Sequence, residues 1–208
     1  MNFPRFSPVS VLTLATALLL GGCASRGPVP TFYDFGPAAP TAAAQPATPA
    51  VPVPVLVIAD ANGPSWLDSQ RMYYRLLYAD AQQSRPYAYN RWNTPPLQLL
   101  SQRLKTRVAQ SGVKVLSTTD AAAGMPLLRI DVDDFSQNFD TQTQSSGHVS
   151  LRASLFRGHR LIDQKTFSRS GPASSADAQG GAQALAAASD AIAADLLTWL
   201  GTLTIPKE

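Results

Sequence analysis

Leu128-Arg129-Ile130-Asp131-Val132-Asp133 and Val149-Ser150-Leu151-Arg152-Ala153-Ser154-Leu155 alternate apolar and polar residues at every step. A period of two is the pattern of a strand with one face in a core and the other in water, and two such runs in succession predict antiparallel neighbours. The polar stretch Gln137 to Gly147 between them predicts a long hairpin end. Gly158-His159 predicts a tight turn into a further strand, Leu161 to Phe167. Ser170 to Gly181 reads as a small-residue loop. The period then changes: Leu185, Ile192, Leu196 and Trp199 share one face of a closing helix whose many alanines favour helix and close packing.

Earlier in the chain the same two periods recur. Leu97, Leu100, Leu104 and Val108 fall on one helical face, with Gln98, Gln102, Arg103 and Lys105 off it. Thr94 is positioned to cap this helix, Pro95 suits its first turn, and Gly112 suits a left-handed stop. Val113 to Leu116 reads as a short strand after it. Val55-Leu56-Val57-Ile58, bounded by Asp60 and the Asn62-Gly63-Pro64 turn signal, predicts a buried strand in the middle of a sheet. Met72 to Tyr78 and Tyr87-Ala88-Tyr89, around a polar loop from Ala81 to Pro86, predict an antiparallel hairpin, and Phe32-Tyr33-Asp34-Phe35 predicts a first strand. This order of elements predicts an α+β fold: a two-layer sandwich of a mostly antiparallel sheet with two main helices on one face.

The amino terminus specifies an address. Arg5 supplies a positive region, Val9 to Leu20 a short apolar run interrupted by Ser10, Thr13 and Thr16, and Gly21-Gly22 the small residues a signal peptidase needs. The run falls short of the ~20 residues that span a bilayer, so the segment reads as a cleaved signal over residues 1–22. Leu20-Gly21-Gly22-Cys23 resembles the lipobox of bacterial lipoproteins and contains the chain's only cysteine. The resemblance implies diacylglycerol on the Cys23 sulfur and a fatty acid such as palmitate on its amino group, an anchor of several chains that holds durably. By the same resemblance Ala24, where an aspartate would imply retention at the inner membrane, implies sorting to the periplasmic face of the outer membrane. Pro37 to Pro54 is nearly all Pro, Ala, Thr and Gln, too poor in large apolar groups to form a core and suited to polyproline II. From composition alone it is either a long tether or a loop within the domain.

Removing residues 1–22 deletes only Arg5 among the charged residues, leaving 186 residues with a formal charge of +2. That is enough chain for one domain with a real core, and too little charge, without any basic run, for nucleic-acid binding. Catalytic patterns are missing as well. His148 and His159 lie on different elements with no cysteine to complete a zinc site. Asp131, Asp133 and Asp134 lie on a strand and cannot wrap a calcium ion. There is no Gly-x-Ser-x-Gly elbow, and Gly180-Gly181 is not a nucleotide loop. The expectation is a protein that is not an enzyme, with no metal and no cofactor.

Leu67-Asp68, Met72-Tyr73-Tyr74-Arg75, and Arg91-Trp92 with Pro95-Pro96 opening a Leu-rich helix together resemble the ABC-type transport auxiliary lipoprotein family, to which the PqiC type belongs. Phe32 to Phe35 looks like that family's first strand. The resemblance implies a tether at residues 23–30 and a domain at 31–203 containing residues 37–54 as a loop. It also implies a role as an outer-membrane-anchored accessory subunit of an MCE-type ABC system that moves phospholipids or other hydrophobic compounds. The partners implied are a periplasmic MCE-domain protein and, in a ring-like homo-oligomer, further copies of the chain. Tyr74, Arg75, Arg91 and Trp92 are the candidate docking or structural residues. Arg-with-aromatic clusters are the composition of interfaces, although Trp92 and the tyrosines equally suit the corner between sheet and helix, with Arg75 paired to Asp68. Two other classes compete: a lipid-binding periplasmic carrier with its own cavity, and an envelope hydrolase.

Overall fold

The computed structural model describes residues 27–38, 54–120 and 124–205. In chain order they form β1 (Thr31–Tyr33), β2 (Val55–Ile58), a single 3-10 turn (Ser65–Asp68), β3 (Arg71–Leu76), β4 (Asp80–Trp92) and α1 (Pro96–Gln110). β5 (Lys114–Leu116), β6 (Pro126–Phe139), β7 (Ser145–Arg157), β8 (Arg160–Pro172) and α2 (Ala178–Thr202) follow. Residues 1–26 with Cys23 and Ala24, and 39–53 of the Pro/Ala-rich stretch, lie outside the described residues.

The alternating strands β6 and β7 pair antiparallel along their whole length and β8 continues the meander through the Gly158-His159 turn. Both hairpin strands run further than alternation alone predicts. Gln137 to Phe139 and Ser145 to Gly147 are strand rather than hairpin end, and Ser170 to Pro172 belongs to β8 rather than to a loop. In β6 the cause is a bulge between Val132 and Asp134, which shifts the side-chain phase by one. Leu128, Ile130 and Val132 face inward before it; Phe135, Gln137 and Phe139 face inward after it.

The outer edge of β6 is shared. Its first half takes β2 in parallel at Leu127–Leu128, and its last residues take β3 in parallel at Gln137–Phe139. β2 therefore sits between β6 and β5, with Leu56, Val57 and Ile58 buried, as the apolar run predicts. The sheet order is β8-β7-β6 followed by β3-β4-β1 at one end of β6 and β2-β5 at the other. The eight strands make a mixed sheet, antiparallel along its longest ribbons.

Both helices cover one face. Leu97 of α1 packs where Gly63 approaches Val132, and Ala184–Leu185 of α2 lie directly on Gly147, the cross-strand partner of Gln137. Val132 and Gln137 belong to the same inward set, so the layers are those of an α+β two-layer sandwich. Leu100, Leu104, Val108, Ile192, Leu196 and Leu200 are almost wholly excluded from water. By composition α2 is long and apolar enough to cross a bilayer, but its apolar residues are the core's.

Helix ends depart from expectation in one case. α1 begins at Pro96 with Pro95 as its cap, not Thr94, and no side chain caps it. Pro96 lacks an N–H, and the Pro95 carbonyl accepts from Gln98 and Leu99 instead. Gly112 does end the helix, at φ +91°. At α2, the Asp177 carboxylate accepts from the Gly180 N–H at 2.8 Å.

The hairpin β3–β4 forms as expected, but β4 starts at Asp80, and Ala81 to Pro86 is strand rather than loop. Its residues are polar because both sides of the ribbon are exposed there, which removes the apolar half of the signal. β1 pairs parallel to the end of β4, Thr31 opposite Asn90 through Tyr33 opposite Trp92. It ends one residue before Asp34, whose carboxylate turns the chain by accepting from the Gly36 N–H at 2.7 Å. β1 and β2 are thus strands of one sheet, joined through residues 34–54.

Candidate functional site

The four candidate residues of the β3–β4 hairpin divide between two faces. Trp92 is 2% exposed, with its ring edge-on to Phe35 and to Phe135 at 5.8 Å from each. Its backbone N–H donates to the Gln70 carbonyl at 2.7 Å, so it plugs the corner where hairpin, β1 and β6 meet. Tyr74, opposite Gln137 in register, lies with its ring tilted 4.6 Å from Tyr87 and edge-on 5.6 Å from Phe139 on the helix side. Arg75 is opposite Asn138 and therefore points to the other, open face. No ion pair joins it to Asp68 among the described residues, against the pairing weighed from sequence. Arg91 curls back on its own strand, donating from Nη1 to the carbonyls of Tyr87 (2.5 Å) and Asn90 (2.9 Å). The structure therefore brings Trp92 and Tyr74 into the packing and leaves Arg75 and Arg91 at the surface margin. Cys23 lies outside the described residues.

Two residues that sequence reasoning passed over hold this region to the rest. Arg103, assigned to the outer side of α1, is 7% exposed. It donates to the carbonyls of Phe35 (2.8 Å) and Gly36 (3.2 Å), lies 2.9 Å from the Asp190 carboxylate of α2 and has its guanidinium over the Phe35 ring. Arg103 thus ties the segment after β1 to both helices. Asp190 also receives Arg107, two donors at 2.8 and 2.6 Å, which raises the Arg107 pKa. The spacing held a clue: Arg103 is four residues after Leu99 and three after Leu100, on the same turn face as both. Its charge argued the other way.

Gln137 is the second. Only 1% exposed, it accepts from the Tyr87 hydroxyl at 2.9 Å and donates to Ser145 Oγ (2.8 Å) and the Asp177 carbonyl (3.0 Å). One carboxamide thus joins β4, β7 and the start of α2, all of its bonds in good geometry. Gly181 lies against it so closely that any Cβ would collide with the carboxamide. Burial, followed by the neighbouring Tyr74, pushes the Tyr87 phenol well above its ordinary pKa, so it remains a donor.

Charges elsewhere are structural. Arg169 holds Asp195 through two bonds at 2.5 and 2.6 Å and lowers that carboxyl's pKa, and Asp163 accepts from the Trp199 indole at 2.8 Å. His148 lies 4.0 Å from Asp134 on the open face, and His159 is in the β7–β8 turn. No group of three or more His, Cys, Asp or Glu side chains converges among the described residues. A void of about 10 Å³ between Trp92, Met72, Phe135 and Leu185 has room for a water and no more.

Comparison with solved structures returns the same fold. Protein XCC0632 from Xanthomonas campestris superposes with a TM-score of 0.66 at 24% identity, covering 81% of this chain and 94% of its own. An uncharacterized protein superposes with a TM-score of 0.63 at 14% identity, covering 82% and 97%. Comparison with curated proteins returns no match. Residues 33–196, from β1 to within α2, match the model of the ABC-type transport auxiliary lipoprotein component. The chain belongs to that family.

Proposed function

We propose that this protein is a non-enzymatic, outer-membrane-anchored periplasmic subunit of an MCE-type ABC system that moves phospholipid or another hydrophobic compound. Family membership is the observation that carries the reading, because it assigns an auxiliary role in ABC-type transport. Leu20-Gly21-Gly22-Cys23 supports lipid anchoring and Ala24 supports the outer membrane. The edge position of β1 supports a short tether, residues 23–30. From Cys23 to Thr31 the chain reaches at most ~28 Å. The domain, residues 31–203 with the loop 37–54, is then held beside its membrane and the inner-membrane machine must extend to it. Tyr74 and Trp92 serve packing; Arg75 and Arg91 serve docking.

Two measurements test this. Fractionated envelopes should place the full-length protein with the outer membrane, and Cys23→Ala should release it. Affinity capture of the tagged, full-length lipoprotein from crosslinked envelopes should recover an MCE-domain protein. A folded bait that repeatedly returns none, with such a protein present in the envelope, would sink the transport assignment.

A further inference from the structure

The hairpin Arg71–Trp92 carries four arginines and one aspartate, a formal charge of +3, equal to that of the entire chain. None of Arg71, Arg75, Arg85 and Arg91 pairs with a carboxylate among the described residues, whereas Arg103, Arg107, Lys105, Arg152 and Arg169 all do. Arg71 and Arg91 even stand directly opposite each other in register, a like-charge pairing that weakens a hairpin. Arg91 answers that opposition by turning to the Tyr87 and Asn90 carbonyls of its own strand. An excess charge that no acid among the described residues neutralises marks a surface shaped by something outside the fold. The hairpin's tip adds a second anomaly: Leu77 and Tyr78 are 39% and 47% exposed. Tyr89 on β4, and Val29 and Phe32 on the adjoining amino-terminal segment, are exposed as well, so most of the large exposed apolar side chains gather along this one border of the sheet.

Arg75 and Arg85 flank the tip from opposite faces of the ribbon. Arg75 shares the open face with Asn138, while Arg85 is opposite Tyr74, which faces the helices. A ribbon with cations on both faces and apolar groups at its end suits a medium that surrounds it, a headgroup layer, better than a flat protein partner. Tyrosine is at home at that depth. The same border is where the anchor enters. β1 is the edge strand beside β4, described chain begins at Gly27, and Cys23 lies only four residues earlier, within ~14 Å of it.

We propose that the β3–β4 hairpin is a membrane-contact element that places Leu77 and Tyr78 in the headgroup layer of an anionic phospholipid surface, with Arg75 and Arg85 on its phosphates. This rests on the anchoring of Cys23 given above, names what the docking residue Arg75 faces, and adds Arg85 to it. A fluorescent bimane on Leu77→Cys tests it in the full acylated lipoprotein, Cys23 being blocked by its lipid. The control is the same label on Leu161→Cys, somewhat more exposed at 47% but on β8 at the far border of the sheet. In vesicles of phosphatidylethanolamine and phosphatidylglycerol, 3:1, containing a lipid-borne quencher, position 77 should be quenched at least threefold more than position 161. The excess should fall at least twofold in vesicles of phosphatidylcholine alone and in the folded double variant R75E/R85E. Equal quenching at the two positions, or an excess at 77 indifferent to phosphatidylglycerol, overturns the proposal. The mass of Cys23 in the same preparation separates the two readings. An acylated protein with position 77 in water overturns the membrane contact alone, and an unmodified cysteine overturns the anchor and the contact with it.

Discussion

The two-helix body and the β3–β4 hairpin use the same residue type, arginine, in opposite ways. In the body Arg103 and Arg107 join α1 to α2 through Asp190, and Arg169 joins β8 to α2 through Asp195. In the hairpin Arg75 and Arg85 meet no acid among the described residues, and Arg85 bonds the Gln83 carboxamide. A paired, shielded guanidinium adds to stability and is costly to remove, whereas an unpaired and hydrated one leaves the fold unchanged when deleted. Sequence composition treats them alike; the partner atoms separate body from surface.

The comparison can be pressed at decreasing scale. Trp92→Ala removes the ring on which Phe35 and Phe135 pack and should cost about 3–5 kcal/mol in urea unfolding. If the cost falls under 1 kcal/mol, the corner is not part of the core and the hairpin is independent of the body. Arg103→Ala should cost about 2–3 kcal/mol, because it strips the carbonyls of Phe35 and Gly36 of their donor inside the fold. Hydrogen exchange should report faster opening of β1 in this variant, with the β6–β7 ribbon unaffected.

Asp177→Ala should cost about 1 kcal/mol, the usual worth of a helix cap. This term carries a pH signature. The Gly180 N–H first, and the Ser175 hydroxyl after it, lower the Asp177 carboxyl in the folded state. A lowered folded pKa means stability that is fully present above the unfolded value of about 3.9 and lost as pH falls through the folded one. The difference between wild type and Asp177→Ala should thus be constant near neutrality and shrink below about pH 4. A difference that grows on acidification would remove the cap from the account. Smallest of all, Arg75→Ala and Arg85→Ala should each change stability by no more than about 0.5 kcal/mol. A larger loss would place them with the body and erase the contrast.

Much of the architecture was legible because it is periodic. The α1 face through Leu97, Leu100, Leu104 and Val108 is buried as its spacing predicts, and so is the α2 face through Leu185, Ile192, Leu196 and Trp199. Structure and sequence pattern part where one signal cancels another. The bulge at Asp133 inserts one residue, so the inward set Phe135, Gln137, Phe139 falls out of phase with Leu128, Ile130, Val132 and the strand seems to stop. A buried glutamine then strengthened the impression of a loop. Ala81 to Pro86 has neither face in the core, so no alternation marks it as strand. Of the candidate site, Trp92 and Tyr74 were legible as aromatics near a helix start, but their separation from Arg75 was not, since facing is set by register with β6.

Sequence by itself determined what depends on neighbours in the chain: the helices and their faces, the α+β order of elements, and the motifs of an auxiliary transport lipoprotein. Only the tertiary structure decided which arginines are bonded in and which are left over. Arg103 meets Phe35 across 68 residues and Arg107 meets Asp190 across 83. Contacts at that separation leave no periodic trace, because a charged side chain looks the same in sequence whether the acid that neutralises it is present in the fold or absent.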